Sequence, residues 1–402
     1  MSVAILESGR GTAENTLDEV AAQHPDVPRL IILKTDVQRR GVHYTEAALD
    51  LLDPRLHQVM DARSLPGGLL RMQPESLLLR DGTSIIASPV PLEQNPYWVD
   101  EVEGQLWLRD GGDPLEAVEY WPRPDFYGRK TAGGVDYRTI VSAHPQSLCI
   151  VPHRQRSSAN KDQLERDIPL RWDPKAVAEV IAAAIREPGR FSTVVLHAAF
   201  DPSGTEPFDR EVDDAIEILQ AIGQNFKAPR FPSQLVGTAF TERQLAALHT
   251  QTGLMSYTAN LEVLDERIFE QICTEKARWV DYQEWKRRLV AAVPIFGRGR
   301  VNTSIVAGLE LEGNQDRPKE KEALTRNLEE AQWLAERGVT TVFSVQTPRL
   351  GSPLAQRASL DYHISLAKGF HAIRRAHGLS VDFDDYRRGG SHPDTDLARL
   401  LH

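Results

Sequence analysis

Two strand-like runs end in side chains that do chemistry. Leu254–Asn260 closes on Asn260 and Glu262, with Lys276 following, and Val301–Ala307 closes on Gly308, Leu309 and Glu310 with Ser304 inside it. An acid and a base on one rim clamp the two ends of an amino acid, or simply pair with each other. Arg298 and Arg300, each next to a glycine, precede the second run, and Gln346 to Pro353, with Arg349, makes a sharp turn after a third. The loop from Pro152 to Asp162 contains His153, Arg154 and Arg156, a cationic set suited to a carboxylate or phosphate and equally suited to solvent. In Phe200–Pro207, Asp201 or Glu206 meets an ammonium group, with Thr205 beside it and Gly204 allowing close approach; a plain turn is the other reading. His144, His153 and His197 are the histidines placed for acid–base work, although His197 in an apolar run reads first as a core residue. No serine or cysteine stands on a recognisable strained turn, and no His-x-x-x-His or Cys-x-x-Cys metal spacing occurs.

These groups need a frame, and the chain supplies strands alternating with helices from Asp136 onward. Ser147–Val151, Thr193–Ala198, Ser233–Thr238, Leu254–Asn260, Val301–Ala307 and Thr340–Ser344 read as strands. Helices are expected at Pro174–Arg186, Phe208–Gln224, Thr241–Thr250, Tyr282–Val293, Lys319–Arg337 and Leu360–His377, with Asp173 and Thr241 as N-caps and Gly338 and Gly378 closing the last two. That alternation predicts an α/β fold, a partial or closed (β/α)6–8 TIM-like barrel over 139–380, whose site lies where the strands end. Residues 1–138 read as an α+β accessory domain, with Arg29–Thr35 as a buried strand, Tyr44–Leu52 as a helix and a hairpin at Asp81-Gly82. Its aromatic, proline-rich stretch from Pro89 to Tyr127 reads as a packed irregular cover. The tail 381–402 is polar and expected to be loose.

Composition narrows the function. The 402 residues carry 47 basic and 57 acidic side chains, a net charge of −10 that disfavours nucleic acid as a partner. No run approaches the roughly 20 apolar residues of a membrane span, and no signal pattern opens the chain, so a cytoplasmic protein is expected. Its partners are then a small-molecule substrate and, in one arrangement, a second copy in a homodimer. Cys149 and Cys273 are the only cysteines, too few for a disulfide framework or an iron–sulfur cluster.

In their order, several fragments between 139 and 378 resemble the radical S-adenosylmethionine (SAM) superfamily, in particular its biotin-synthase-like members. They are Asn260-Leu261-Glu262-Val263, Ile272 to Lys276, Phe296 to Val301, Ser304 to Glu310, Gln346 to Pro353 and Pro202 to Pro207. Ser304 to Glu310 is similar to the fifth-strand Gly-x-Ile-x-Gly-x-x-Glu signature, with Ser304 or Thr303 near the first glycine. The resemblance implies a SAM pocket. Thr205 and Glu206 would hold the amino group, and Lys276, Arg298 or Arg300 the carboxylate. Asn260, Glu262 and Ser304 would contact ribose, while Gly308, Glu310, Gln346 and Arg349 flank adenine. The family's Cys-x3-Cys-x2-Cys loop should fall at Arg154–Gln163, which holds no cysteine; Arg154 and Arg156 would occupy the space of the cluster. Counting from Cys149, the i+4 and i+7 residues are His153 and Arg156, and a guanidinium has no lone pair to give iron. The expectation is therefore SAM as substrate, no iron–sulfur cluster, and polar transfer or cyclisation of its methyl or 3-amino-3-carboxypropyl group, with His153 or Glu262 as base. Two alternatives stay open: a radical enzyme with unusual ligands from His153, Asp162 and a cysteine, and a degenerate barrel serving as a binding or scaffold subunit.

Overall fold

A computed structural model describes residues 15–60, 71–86, 88–90, 92, 95–144, 146–150, 172–312, 317–346, 357–379 and 392–400. Two curled mixed sheets carry the fold, in place of the single alternating barrel expected. The first contains β1 (Val42–Tyr44), β2 (Leu77–Leu79), β3 (Ser84–Ile85), β4 (Tyr97–Val102), β5 (Gln105–Asp110) and β6 (Asp113–Tyr120), in the order β1-β4-β5-β6-β2-β3. Only β1 and β4 pair in parallel; β4, β5 and β6 form an antiparallel meander. Tyr97 to Tyr120 of the aromatic stretch expected to be irregular is thus sheet, Trp98 and Trp107 alternating with Val99, Leu106 and Leu108 in the core, while Trp121 to Tyr127 lies outside the strands. The Asp81-Gly82 turn does join β2 to β3, with Asp81 Oδ1 accepting from the Thr83 N–H at 2.8 Å.

The second sheet has β7 (Val141–His144), β8 (Gln146–Ile150), β9 (Phe191–His197), β10 (Ser233–Val236), β11 (Ser256–Thr258), β12 (Val301–Ala307) and β13 (Val339–Val345). They lie in sequence order; β8 through β13 are parallel and β7 is antiparallel to β8. Between them run α5 (Pro174–Ala184), α6 (Asp209–Gly223), α7 (Glu242–Gln251), α8 (Glu266–Ile272), α9 (Thr274–Trp279), α10 (Tyr282–Phe296) and α11 (Glu320–Glu336); α12 (Leu360–His377) follows β13. Strand–helix alternation fixes which strands are neighbours, but not whether a sheet closes. Here it stays open, with β7 and β13 as its edges.

The β13 edge is occupied by the chain's own tail. Residues expected to be loose form α13 (Pro393–Leu400), which packs on β13. Asp394 accepts from the Phe343 N–H at 3.4 Å, and His392 Nδ1 sits 2.8 Å from the Phe343 carbonyl. Edge groups that would otherwise recruit another strand are covered. Arg29–Thr35, expected as a strand, belongs to the buried helix α2 (Arg29–Arg40). A short apolar run does not distinguish a strand from an all-round buried helix. α2 packs on α12 and α13, its Lys34 Nζ lying 2.7 Å from Asp396 with both side chains fully buried. Among the described residues, no helix is long and apolar enough to cross a membrane.

Candidate functional site

Strand register assigns every side chain of the second sheet to a face. Leu148, Ile150, Val194, Leu196, Leu235, Ile305, Phe343 and Val345 lie on one face, in the core with the helices. The other face carries His144, Cys149, Thr193, His197, Gln234, Ser256, Thr258, Asn302, Ser304, Thr340 and Ser344. Parallel strands covered on both sides normally read as continuous apolar runs, so this polar alternation is unusual. Towards the strand starts the polar residues are out of water: Thr193 is 3% exposed, and Gln234, Ser256, Asn302 and Thr340 are fully buried. Towards the strand ends, His197, Ser304, Val306 and Ser344 are half-buried, so the face opens at its carboxyl edge.

Part of the buried polarity is self-satisfied. Gln234 Nε2 donates to Thr258 Oγ1 at 2.6 Å, and Asn302 Nδ2 donates to Ser256 Oγ at 3.0 Å. Yet Thr193 Oγ1, Gln234 Oε1, Asn302 Oδ1 and Thr340 Oγ1 have no hydrogen-bond partner among the described residues. Buried polar atoms are nearly always paired, and Thr341 Oγ1 on the core face is in the same state, so these atoms are not confined to one face.

At the carboxyl edge a bulge builds the rim. The Ala259 N–H donates to the Asn302 carbonyl and the Glu262 N–H to the Ser304 carbonyl, so this strand spends one more residue than β12 between the same two bonds. Glu262 absorbs the extra residue at φ +66°, a left-handed conformation that costs a non-glycine residue free energy and marks functional loops. Asn260 Oδ1 fills the gap by accepting from the Ser304 N–H at 3.2 Å. Thr303 Oγ1, on the core face, accepts from the Leu261 N–H at 3.0 Å and fixes the turn from below. Lys276 Nζ donates to the Asn260 carbonyl at 3.1 Å and to Glu262 Oε1 at 2.5 Å. It also lies 5.3 Å from the ring centre of Trp285, whose indole N–H donates to the Ala259 carbonyl at 3.2 Å. Asn260, Glu262, Lys276 and Ser304 therefore form one connected group.

No family model and no curated protein matches this chain. Site assignment rests on the geometry.

The remaining sequence-derived candidates divide. Gly308 (φ +99°) and Gln346 are neighbours: a Cβ on Gly308 would sit 3.4 Å from Gln346 Oε1 and 3.2 Å from Ala358 Cβ. Glu310 is buried behind this turn, accepting from the Gly308 N–H and from Asn327 Nδ2, both at 3.0 Å, and from the Tyr362 hydroxyl. Burial raises its pKa against those donors. Its role is to hold the Gly308 turn. Thr205 is exposed, and the Glu206 carboxylate is turned to Arg243, with Nη2 at 2.7 Å. Arg298 and Arg300 precede β12 and so lie at the opposite end of that strand, with Arg300 about 26 Å from Gly308 at about 3.3 Å per residue. Arg298 faces the carbonyls of Ala335 and Glu336 at the end of α11, both at 3.4 Å. His153, Arg154, Arg156, Asp162 and Arg349 lie outside the described residues.

Sequence reasoning missed two groupings. Glu211 on α6 is buried beneath the rim, accepting from the Asp201 N–H at 3.1 Å and from the Thr238 N–H and hydroxyl at 3.1 and 3.0 Å. Burial carries its carboxyl up to about 7 despite these donors. It ties the loops after β9 and β10 together. The second grouping joins His144, Cys149 and His197, which the sequence gives as separate residues. The legible signal for both faces was the polar alternation inside runs such as Asn302-Thr303-Ser304-Ile305, easily taken for strand propensity alone.

Proposed function

We propose that this chain is an enzyme that binds SAM across the polar face and rim of the open sheet. It uses the sulfonium as an electrophile, in polar transfer or cyclisation of the methyl or 3-amino-3-carboxypropyl group, without an iron–sulfur cluster. The carrying observation is the bulged rim, where Asn260, Glu262, Lys276 and Ser304 meet above a row of unpaired buried polar atoms. An amide, a carboxylate and a hydroxyl on one rim match the vicinal hydroxyls of a ribose, and an ammonium beside them matches the ligand's carboxylate. Arg298 and Arg300 have no place in that contact, because they stand at the far strand end. Lys276 is the cation of the reading.

The donor set does not fit a cluster. Two cysteines, one on β8 and one between α8 and α9, supply no Cys-x3-Cys-x2-Cys loop, so no step is routed through iron. A sulfonium needs only a held nucleophile and a dry pocket to react. Glu262 is the described group at the rim able to take a proton, and Lys276 Nζ donates to its carboxylate at 2.5 Å. The test is to incubate purified protein with SAM in air and identify the nucleoside product by mass spectrometry. S-adenosylhomocysteine indicates methyl transfer and methylthioadenosine indicates use of the aminocarboxypropyl group; 5′-deoxyadenosine would contradict the polar reading.

A further inference from the structure

β7, β8 and β9 place a sulfur between two imidazoles. β7 pairs antiparallel with β8 so that Ser142 faces Cys149 and His144 faces Ser147, and β8 pairs with β9 so that Cys149 faces Val195. His144 and His197 are therefore diagonal neighbours of Cys149 on its two flanking strands, on the same polar face. Ser147 Oγ lies 3.8 Å from the Cys149 sulfur. On that face, the Thr193 hydroxyl beside Ser147 and Gln234 Oε1 across β9 are buried without partners. Among the described residues, no three His, Cys, Asp or Glu side chains are grouped to hold a metal ion.

We infer that Cys149 is a nucleophile that accepts an acyl group from an activated ester or thioester, with His144, its diagonal neighbour on β7, as the proton-transfer partner. The inference concerns the β7–β9 flank of the same polar face and a second class of substrate, and its test is run without SAM. Burial alone would push the thiol up, but His144 and then His197 outweigh it and bring it down to about 6. Burial alone would likewise discharge His144, but the Cys149 sulfur holds it up to about 9, with Glu75 adding to the effect. Between those values the pair is thiolate and imidazolium. The titratable groups facing it are His144, His197 and Glu75.

In the step, the sulfur lone pair attacks the acyl carbon and the carbonyl electrons move to oxygen. The Thr193 hydroxyl, diagonal to the sulfur, is the unpaired donor on that face for the oxyanion. Collapse breaks the bond to the alkoxide or thiolate leaving group, which takes the His144 proton. A thioester on Cys149 and neutral His144 remain, ready for an amine or water. An acyl group fits better than an alkyl one because the imidazolium supplies the proton that an alkoxide or thiolate leaving group needs. A departing thioether needs none.

The test treats the full chain, without SAM, with p-nitrophenyl acetate, following nitrophenolate release and mapping the adduct by peptide mass spectrometry. Acetylation of Cys149, with a rate that rises through about pH 6, is expected. Cys149→Ser should abolish that adduct. His144→Gln should slow labelling at pH 7 by tenfold or more and move the pH midpoint towards the ordinary thiol value, while iodoacetamide labelling of the unfolded variant stays normal. Cys273, whose thiol burial pushes up to about 11, serves as the internal reference. Preferential acetylation of Cys273, an unshifted pH profile in His144→Gln, or one equivalent of zinc bound at the trio would overturn the inference. None of these results depends on whether SAM binds.

Discussion

The two sheets alternate polar and apolar residues in the same way and put the polar ones in opposite environments. In the meander, Trp98, Asp100, Trp107 and Arg109 are half-buried while Val99, Leu106 and Leu108 are in the core. This is the ordinary economy of an antiparallel sheet with one wet side. In the open parallel sheet, Thr193, Gln234, Asn302 and Thr340 are as buried as the core, and an acceptor or donor on each is unpaired. Each such atom costs about 1–3 kcal/mol of stability. One sheet turns its polar face to water and the other buries it.

The largest expected effect tests the packing asymmetry beneath that difference. Trp285 is 1% exposed and carries Lys276 on its ring, so Trp285→Ala should cost about 3–5 kcal/mol in chemical denaturation. Trp98→Ala on the meander should cost at most about 1 kcal/mol. Equal losses would erase the contrast. Next, Glu262→Gln should weaken SAM binding about tenfold or more, with stability changed by less than about 1 kcal/mol because the Glu262–Lys276 pair is partly exposed. A change in stability without a change in affinity would reduce the rim to scaffold.

Thr340→Val sharpens the comparison further. Removing an unpaired buried hydroxyl while keeping its shape should raise stability by about 1 kcal/mol and lower ligand affinity. A destabilised variant would mean that the hydroxyl is already satisfied. The smallest effect is expected of Arg298→Ala, which removes contacts at the end of α11 and should cost about 0.5 kcal/mol with affinity unchanged. Reduced affinity there would bring the far strand end back into the site.

Much of the scaffold was legible because its signals are local. Asp173 caps α5 ahead of Pro174, and at the start of α7 Gln244 Oε1 accepts from the Thr241 N–H at 3.0 Å. β12 and α12 fall on the expected residues. Closure was not legible, because the stop at β13 comes from Asp394 and His392, about 50 residues further along the chain. α2 was misread because Leu30-Ile31-Ile32-Leu33 carries no period that separates strand from buried helix. Asn260, Glu262, Lys276 and Ser304 were candidates because they lie on or after two strand-like runs, and the structure brings them together. The bulge that joins them was hidden, since it consists of one extra residue with no special side chain. Arg298 and Arg300 were grouped with them by closeness in sequence, although a strand carries its two ends far apart.

The central claim is that the polar face and its bulged rim hold a sulfonium nucleoside. Isothermal titration of SAM into the purified full-length chain in air tests it most directly. The account predicts one-to-one binding that weakens about tenfold or more in Glu262→Gln. An absence of heat from the wild-type protein at millimolar SAM, or equal affinity in the variant, would contradict it.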